Sequence, residues 1–250
     1  MTPAHSQPPP HPAPAAKRIA QPTVRRLSLY LRFLEDVDDR GLTTVSSQEL
    51  ARLGGTSSAQ VRKDLSVFGS FGKRGLGYAV AELITALRDI LGLGREWRVV
   101  IVGAGKIGTA LAQYAGFRQR GFSVVAVYDN DVAKIGTQWA GHTVRDVAQL
   151  ESDAAREHPD IAVLAVPAER AQDTVDRIVR ARIGGILNFA PVQLHVPAGV
   201  TLQTVNMAAE LEILSYALAN RDPEEHRELM PEVGGQRSDA AANRGGRRPG

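Results

Sequence analysis

The 250-residue sequence predicts an α/β protein in two parts: a helical N-terminal unit and, after it, a parallel sheet covered on both faces. Three observations predict it. Apolar residues recur at helical spacing between Val24 and Leu91, short continuous apolar strands alternate with helical stretches from Val99 onward, and both ends are poor in apolar residues. A chain of this length can form one large or two ordinary domains of roughly 100–200 residues. With aromatics at only 5%, the core must be mostly aliphatic. The absence of cysteine excludes a disulfide framework, cysteine nucleophiles and Cys-ligated metal, and points to an intracellular, cytoplasmic protein. Apolar runs such as Val99–Val102 fall far short of the ~20 residues that span a bilayer, and the N-terminus lacks the apolar stretch of a signal peptide.

Seven of the 14 prolines lie within residues 1–22, which predicts a solvated tail over residues 1–20. The first helix is expected over Thr23–Asp38, where Val24, Leu27, Leu31 and Leu34 form a stripe and Gly41 stands past the end. Ser46 and Glu49 form a capping box before Leu50 and Leu53, and Gly54-Gly55 stops that short helix. Ser57 or Ser58 then caps a third helix, Ala59–Phe68. A short helix, a glycine turn and a capped second helix outline a helix-turn-helix. The next stretch, GSFGKRGLGY at 69–78, suits a tight β-ribbon with a basic tip, so the whole reads as a winged helix. In that reading Arg62 or Lys63 donates to base edges in the major groove and Lys73 and Arg74 meet phosphates or the narrow groove. Ser57, Ser58 and Gln60 reach phosphate or base edges from the helix N-terminus. The bland alternative is a packing or dimerisation module with a solvated RKD face. Charge favours DNA: residues 17–78 hold 11 basic and 6 acidic side chains, against 13 and 15 over residues 79–220. A fourth helix, Val80–Leu91, covers this unit.

The second part opens with the strand Val99–Val102, and GAGKIG at 103–108 follows at once, starting a helix expected through Tyr114. Further strands are predicted at Val124–Tyr128, Ile161–Val166, Ile186–Phe189 and Val200–Val205, with helices at Arg170–Arg182 and Ala208–Asn220. A lone GxGxxG is weak, but here it follows a strand, opens a helix and is followed by Asp129 at the end of the next strand. Gly103 permits the tight turn, Gly105 lets the backbone approach a pyrophosphate, and Gly108 lets the helix pack closely. Asp129 can accept from both adenosine ribose hydroxyls and would repel a 2′-phosphate, which favours NAD(H) over NADP(H). No catalytic group accompanies this cofactor site. None of the six histidines stands in a motif with a partner carboxylate, and His195 is the only one near a strand's C-terminal end. A DNA-binding unit joined to a cofactor site without chemistry suggests a sensor.

At this point the residues resemble a known family. TVRRLSLYLRFLE, VSSQELA, QVRKDLSVFGSFGKRGLGY, VGAGKIG, VPAERAQ and ILNFAPVQLHVP are similar to motifs of the Rex redox-sensing transcriptional repressors, over about residues 19–220. The resemblance implies a homodimer, not an enzyme, with a winged helix-turn-helix domain over 21–92, a Rossmann-type NAD(H)-binding domain over 93–206 and a C-terminal exchanged helix over 207–222; beyond it, few apolar residues and many Gly and Arg predict a flexible tail over 223–250. It implies that NADH releases the protein from operator double-stranded DNA while NAD+ competes without releasing it, with no metal and no membrane. Carried over by motif, Gly103, Ala104, Gly105, Lys106, Ile107 and Gly108 hold the pyrophosphate and Asp129 the ribose. The Val166-Pro167 and Asn188-Phe189 segments border the nicotinamide. Arg62, Lys63 and Arg74 fall in the DNA-contacting helix and wing. The family usually carries an Asp followed by Leu or Phe before the exchanged helix, where this chain has Asn206-Met207. That acid is thought to exchange partners between an arginine matching Arg32 and a tyrosine matching Tyr114, so Asn206 implies altered NADH–DNA coupling. The alternatives are an NAD-dependent oxidoreductase with an N-terminal helical module, and a CoA-binding domain, against which Asp129 argues.

Overall fold

The computed structural model describes residues 19–69, 71–72 and 77–220. The N-terminal unit is built from α1 (Gln21–Asp39), β1 (Thr44–Val45), α2 (Ser47–Leu53), α3 (Ser58–Ser66), β2 (Tyr78–Ala79) and α4 (Val80–Ile90). The α1 stripe buries Leu27, Leu31 and Leu34 completely, together with Tyr30, against Leu83 and Leu87 of α4. The capping box forms as expected: Ser46 Oγ accepts from Glu49 N while the Glu49 carboxylate accepts from Ser46 N at 2.7 Å. Ser57, rather than Ser58, caps α3, its Oγ accepting from Gln60 N at 3.1 Å.

β1 has no counterpart in the sequence reading. It pairs antiparallel with β2, Thr44 opposite Ala79 and Val45 opposite Tyr78, so the return arm of the 69–78 stretch joins the segment before α2. Two residues with one inward side chain leave no readable alternation. The basic tip expected at Lys73 and Arg74 lies outside the described residues.

The second part contains β3 (Trp97–Val102), α5 (Lys106–Ala112), α6 (Ala115–Gln119), β4 (Phe122–Asp129), β5 (Gln138–Trp139) and β6 (His142–Asp146). A 3-10 turn (Val147–Gln149) leads to α7 (Leu150–Glu157), β7 (Ile161–Leu164), α8 (Ala168–Arg180), β8 (Gly185–Asn188), β9 (Thr201–Thr204) and α9 (Met207–Ala219). The seven strands run in the order β5-β6-β4-β3-β7-β8-β9, all parallel except β5. Without β5 this is the doubly wound order in which the direction of winding reverses between β3 and β7, opening a crevice at their C-terminal ends.

Alternation along β3 divides the core. Val100 and Val102 face α7 and α8, where Leu150, Ala171, Val175 and Ile178 are buried, whereas Val99 and Ile101 face the α5 side with Val127 and Val163. β6 and α7 were not anticipated: only Val144 of HTVRD is fully buried, so the strand carries almost no apolar signal. The helix expected to run through Tyr114 instead ends at Ala112, and Tyr114 caps α6. There the Tyr114 ring covers Gly116, where a Cβ would lie 2.5 Å from it, and meets the Phe117 ring edge-on at 5.3 Å. Among the described residues, no helix is long and apolar enough to cross a membrane.

Candidate functional site

The turn after β3 is shaped by three glycines with three different demands. Gly103 has φ +111°, and a Cβ there would meet Ala165 O of the neighbouring β7 end at 2.3 Å. Gly108 sits so tightly that a Cβ would lie 2.0 Å from Gly103 O, which sets the start of α5 directly on the turn. Around Gly105, by contrast, a Cβ would meet nothing within 4 Å: the backbone faces open space at the N-cap of α5, where first-turn N–H groups suit an anion.

Beside this turn, Asp129 is only 7% exposed at the end of β4. Its Oδ1 accepts from Asp131 N at 2.9 Å, and its Oδ2 accepts from Ala104 N at 2.8 Å and from Lys134 Nζ at 3.1 Å. Burial pushes this carboxyl upward, but the Asp131 and Ala104 N–H groups and the Lys134 ammonium outweigh it and hold it below the usual carboxylate range. It is therefore ionised at neutral pH.

The turn, Asp129 and the β7–α8 junction enclose a cleft of about 620 Å³ at the reversal point of the sheet. Of the residues expected to hold a cofactor, Gly103, Gly105, Ile107, Asp129, Val166, Pro167 and Phe189 line it. Ala104 is buried and acts through its N–H, and Lys106 is exposed at the first turn of α5. Asn188, expected along the cofactor, is fully buried and faces inward. Its amide donates to Ala190 O at 3.0 Å and accepts from Ala190 N at 2.8 Å, so it shapes the loop that presents Phe189 and Pro191. The sequence reading missed Lys134 and the α8 residues Arg170, Asp173, Thr174 and Arg177, which also line the cleft. Their i, i+3, i+4, i+7 spacing was available as a signal of one shared helix face.

The cradle fits a dinucleotide. A glycine turn with no side chain over the α5 N-terminus and an ionised carboxylate at the end of the second strand are the donor and acceptor that a pyrophosphate and a ribose diol require. Among the described residues, no cluster of His, Asp or Glu could hold a metal ion.

The second candidate surface lies on α3. Val61, Asp64 and Leu65 point into the helical core, leaving Arg62 and Lys63 exposed on the opposite side. Arg62 donates to Ser47 Oγ at 3.0 Å, which draws it toward the start of α2. Gln60 is committed inward, its amide donating to Asp64 Oδ1 at 2.8 Å. The RKD triplet is thus not a uniformly solvated face: Asp64 is 2% exposed and holds the Arg26 guanidinium through both oxygens, at 2.6 and 2.8 Å.

Among the described residues, no hydrogen bond joins the expected switch residues to one another. Arg32 and Tyr114 are exposed, and Asn206 caps α9, its Oδ1 accepting from Ala208 N and Ala209 N, both at 3.1 Å.

Comparison with known proteins adds two family models and close relatives. Residues 18–66 match a model described as "Putative DNA-binding protein N-terminus", and residues 94–192 match one described as "CoA binding domain". The chain is 47% identical to the redox-sensing transcriptional repressor Rex of Carboxydothermus hydrogenoformans over 80% of its own length and 96% of the relative's. It is 44% identical to Rex of Thermotoga petrophila over 83% and 99%. A Rex-family repressor, RSP, solved with β-NAD+ and operator DNA, superposes with TM-score 0.77 at 37% identity, covering 87% of this chain and all of that one. The structure of RSP with β-NADH gives 0.76 at 36%, covering 85% and 99%.

Proposed function

The chain belongs to the Rex family of redox-sensing transcriptional repressors, and from that premise we propose that it is an operator-binding homodimer whose hold on DNA is released by NADH and not by NAD+. The observation that carries the reading is the presence in one chain of a dinucleotide cradle with an ionised, buried Asp129 and of a helix-turn-helix presenting Arg62 and Lys63 outward. We assign DNA contact to residues 21–92 and dinucleotide binding to residues 93–206. In this assignment the α5 N-terminus and the glycine turn hold the pyrophosphate and Asp129 the ribose hydroxyls. The cofactor supplies, when bound, a nicotinamide ring that is charged when oxidised and neutral when reduced. Ile107, Val166, Pro167, Phe189 and Pro191 make that end of the cleft apolar, which disfavours the charged ring. The same Asp129 opposes the phosphorylated ribose of coenzyme A, so the CoA-binding family model marks shared architecture and not the ligand.

The dimer follows from α9. Met207, Leu211, Ile213, Leu214, Tyr216 and Leu218 are all more than half exposed. No helix intervenes between β8 and β9 to cover the α5 side of the sheet, and an apolar groove of about 290 Å³ lies there, lined by Val99, Phe117, Phe122, Val163 and Leu187. An exposed apolar helix and a bare apolar groove in one chain fit the exchange of α9 between two copies.

Regulation is then linkage between two arrangements of the dimer, only one of which sets its α3 helices in successive major grooves. Each ligand must weaken the other by the same factor. We assign the protein a regulatory rather than a catalytic role, in the compartment that holds the chromosome. The test is a mobility shift on an inverted-repeat operator with NADH and NAD+ titrations, paired with NADH affinity measured with and without saturating operator. Release by NADH and a matching loss of NADH affinity on DNA are expected. Equal NADH affinity in both conditions refutes the linkage, and NADH consumption with a carbonyl substrate would favour an oxidoreductase.

A further inference from the structure

We propose that Lys134 is a specificity-determining residue at the ribose end of the cleft: together with Asp129 it decides whether an adenosine ribose is accepted bare or carrying a 2′-phosphate. The inference rests on the dinucleotide reading of this cleft and goes beyond it in naming a residue that no motif marks.

The argument is a count of hydrogen bonds. A carboxylate offers about four acceptor positions. Three on Asp129 are taken, one by Asp131 N, one by Ala104 N and one by Lys134 Nζ. A ribose diol asks for two, so one donor must leave. The two backbone donors belong to the turns after β3 and β4 and cannot move without unfolding them. Lys134 can leave: its side chain is 40% exposed, and the Asp131 carboxylate already lies 3.7 Å from its ammonium. A short swing from Asp129 toward Asp131 makes room for the diol and keeps the ammonium in the cleft, where Asp129, Asn130, Asp131 and Lys134 are neighbouring wall residues.

The consequence concerns phosphate. At this corner stand a fixed, buried anion and a mobile cation 3.1 Å apart. With Asp129 ionised, Lys134 is neutralised and a 2′-phosphate meets net repulsion. With Asp129 replaced by a neutral residue, the same ammonium loses its nearer, buried partner, keeps only the exposed Asp131 carboxylate at 3.7 Å, and becomes a charge-assisted donor for a phosphate. Rejection of the 2′-phosphate thus belongs to Asp129, and a latent capacity to bind it belongs to Lys134.

The experiment titrates full-length protein with NADH and NADPH, following the fluorescence of the reduced ring, for wild type, Asp129→Asn, Asp129→Ser, each combined with Lys134→Met, and Lys134→Met alone. The Asp129 variants are expected to shift preference toward NADPH. Removing Lys134 from them should cancel about 10- to 150-fold of that shift, as befits a hydrogen bond to a charged group. Lys134→Met alone keeps both backbone contacts to Asp129 and should strengthen the preference for NADH over NADPH. A shift toward NADPH of the same size with and without Lys134 overturns the proposal, as does a weakened NADH preference in Lys134→Met alone. Folded wild-type protein that binds neither nucleotide overturns the dinucleotide reading itself, and with it this inference.

Discussion

Asp64 sits in the helical core at 2% exposure, yet every lone pair that faces the protein is used. Its Oδ1 accepts from Arg26 Nη2 and Gln60 Nε2, both at 2.8 Å, and its Oδ2 from Arg26 Nε at 2.6 Å and the Tyr30 hydroxyl at 3.2 Å. Burial pushes the carboxyl up, but the Arg26 and Gln60 hydrogen bonds hold it below its ordinary value. A depressed folded-state pKa stabilises the protein above the unfolded value of about 3.9, and that stability is lost as pH falls through the folded value. Asp64→Asn should therefore cost about 1.5–3 kcal/mol at pH 7. The gap to wild type in urea midpoints, followed by circular dichroism, should close below about pH 4. A gap that persists undiminished into acid would mean that packing and not charge is lost. The arginine 38 positions earlier in the chain was invisible as a partner in the sequence, where RKD looked like a charged surface triplet.

At the scale of elements, local signals were legible wherever a backbone demand is local. The capping box at Ser46 and Glu49 and the glycines at 103 and 108 could be read from spacing, because a first-turn N–H and a positive φ each restrict the residue in place. β6 and α7 were not, because a five-residue strand with one fully buried side chain has no period to detect. The role of α9 lies between these cases: its helical pattern was plain, but its apolar residues lack a single face, and only the bare groove beside β3, β7 and β8 explains why. Glutamates at Leu211 and Leu214 should dissociate the dimer without unfolding the α/β core. Analytical ultracentrifugation would show monomer where wild type sediments as dimer, with far-ultraviolet dichroism little changed. A variant that stays dimeric would place the interface elsewhere.

For the molecule as a whole, the proposed function depends on a balance between two arrangements, and we propose that Asn206, at the start of α9, bears on that balance. Here it caps α9 through its Oδ1, a position that aspartate fills as well as asparagine. Asn206→Asp should therefore leave helix and dimer intact and act only through its charge. The expected result is a change of about 5- to 150-fold in the ratio of NADH affinities with and without operator, corresponding to ~1–3 kcal/mol of coupling. Unchanged ratios would remove Asn206 from the switch.

Charge follows the same division at this scale: an overall +3 hides a basic N-terminal block and a mildly acidic sheet domain, as befits one part facing phosphates and another enclosing a cofactor. By itself the sequence determined the two-part architecture, the glycine cradle, Asp129 and the outward pair Arg62 and Lys63, since caps, turns and strand–helix alternation are encoded within a few residues of one another. Only the tertiary structure decided that Asn188 turns inward, that Asp64 pairs with Arg26, that Lys134 shares Asp129 with the backbone, and that α9 and the sheet groove each lack a cover. Those depend on which distant side chains packing brings within hydrogen-bonding reach or leaves exposed, and no local pattern records that.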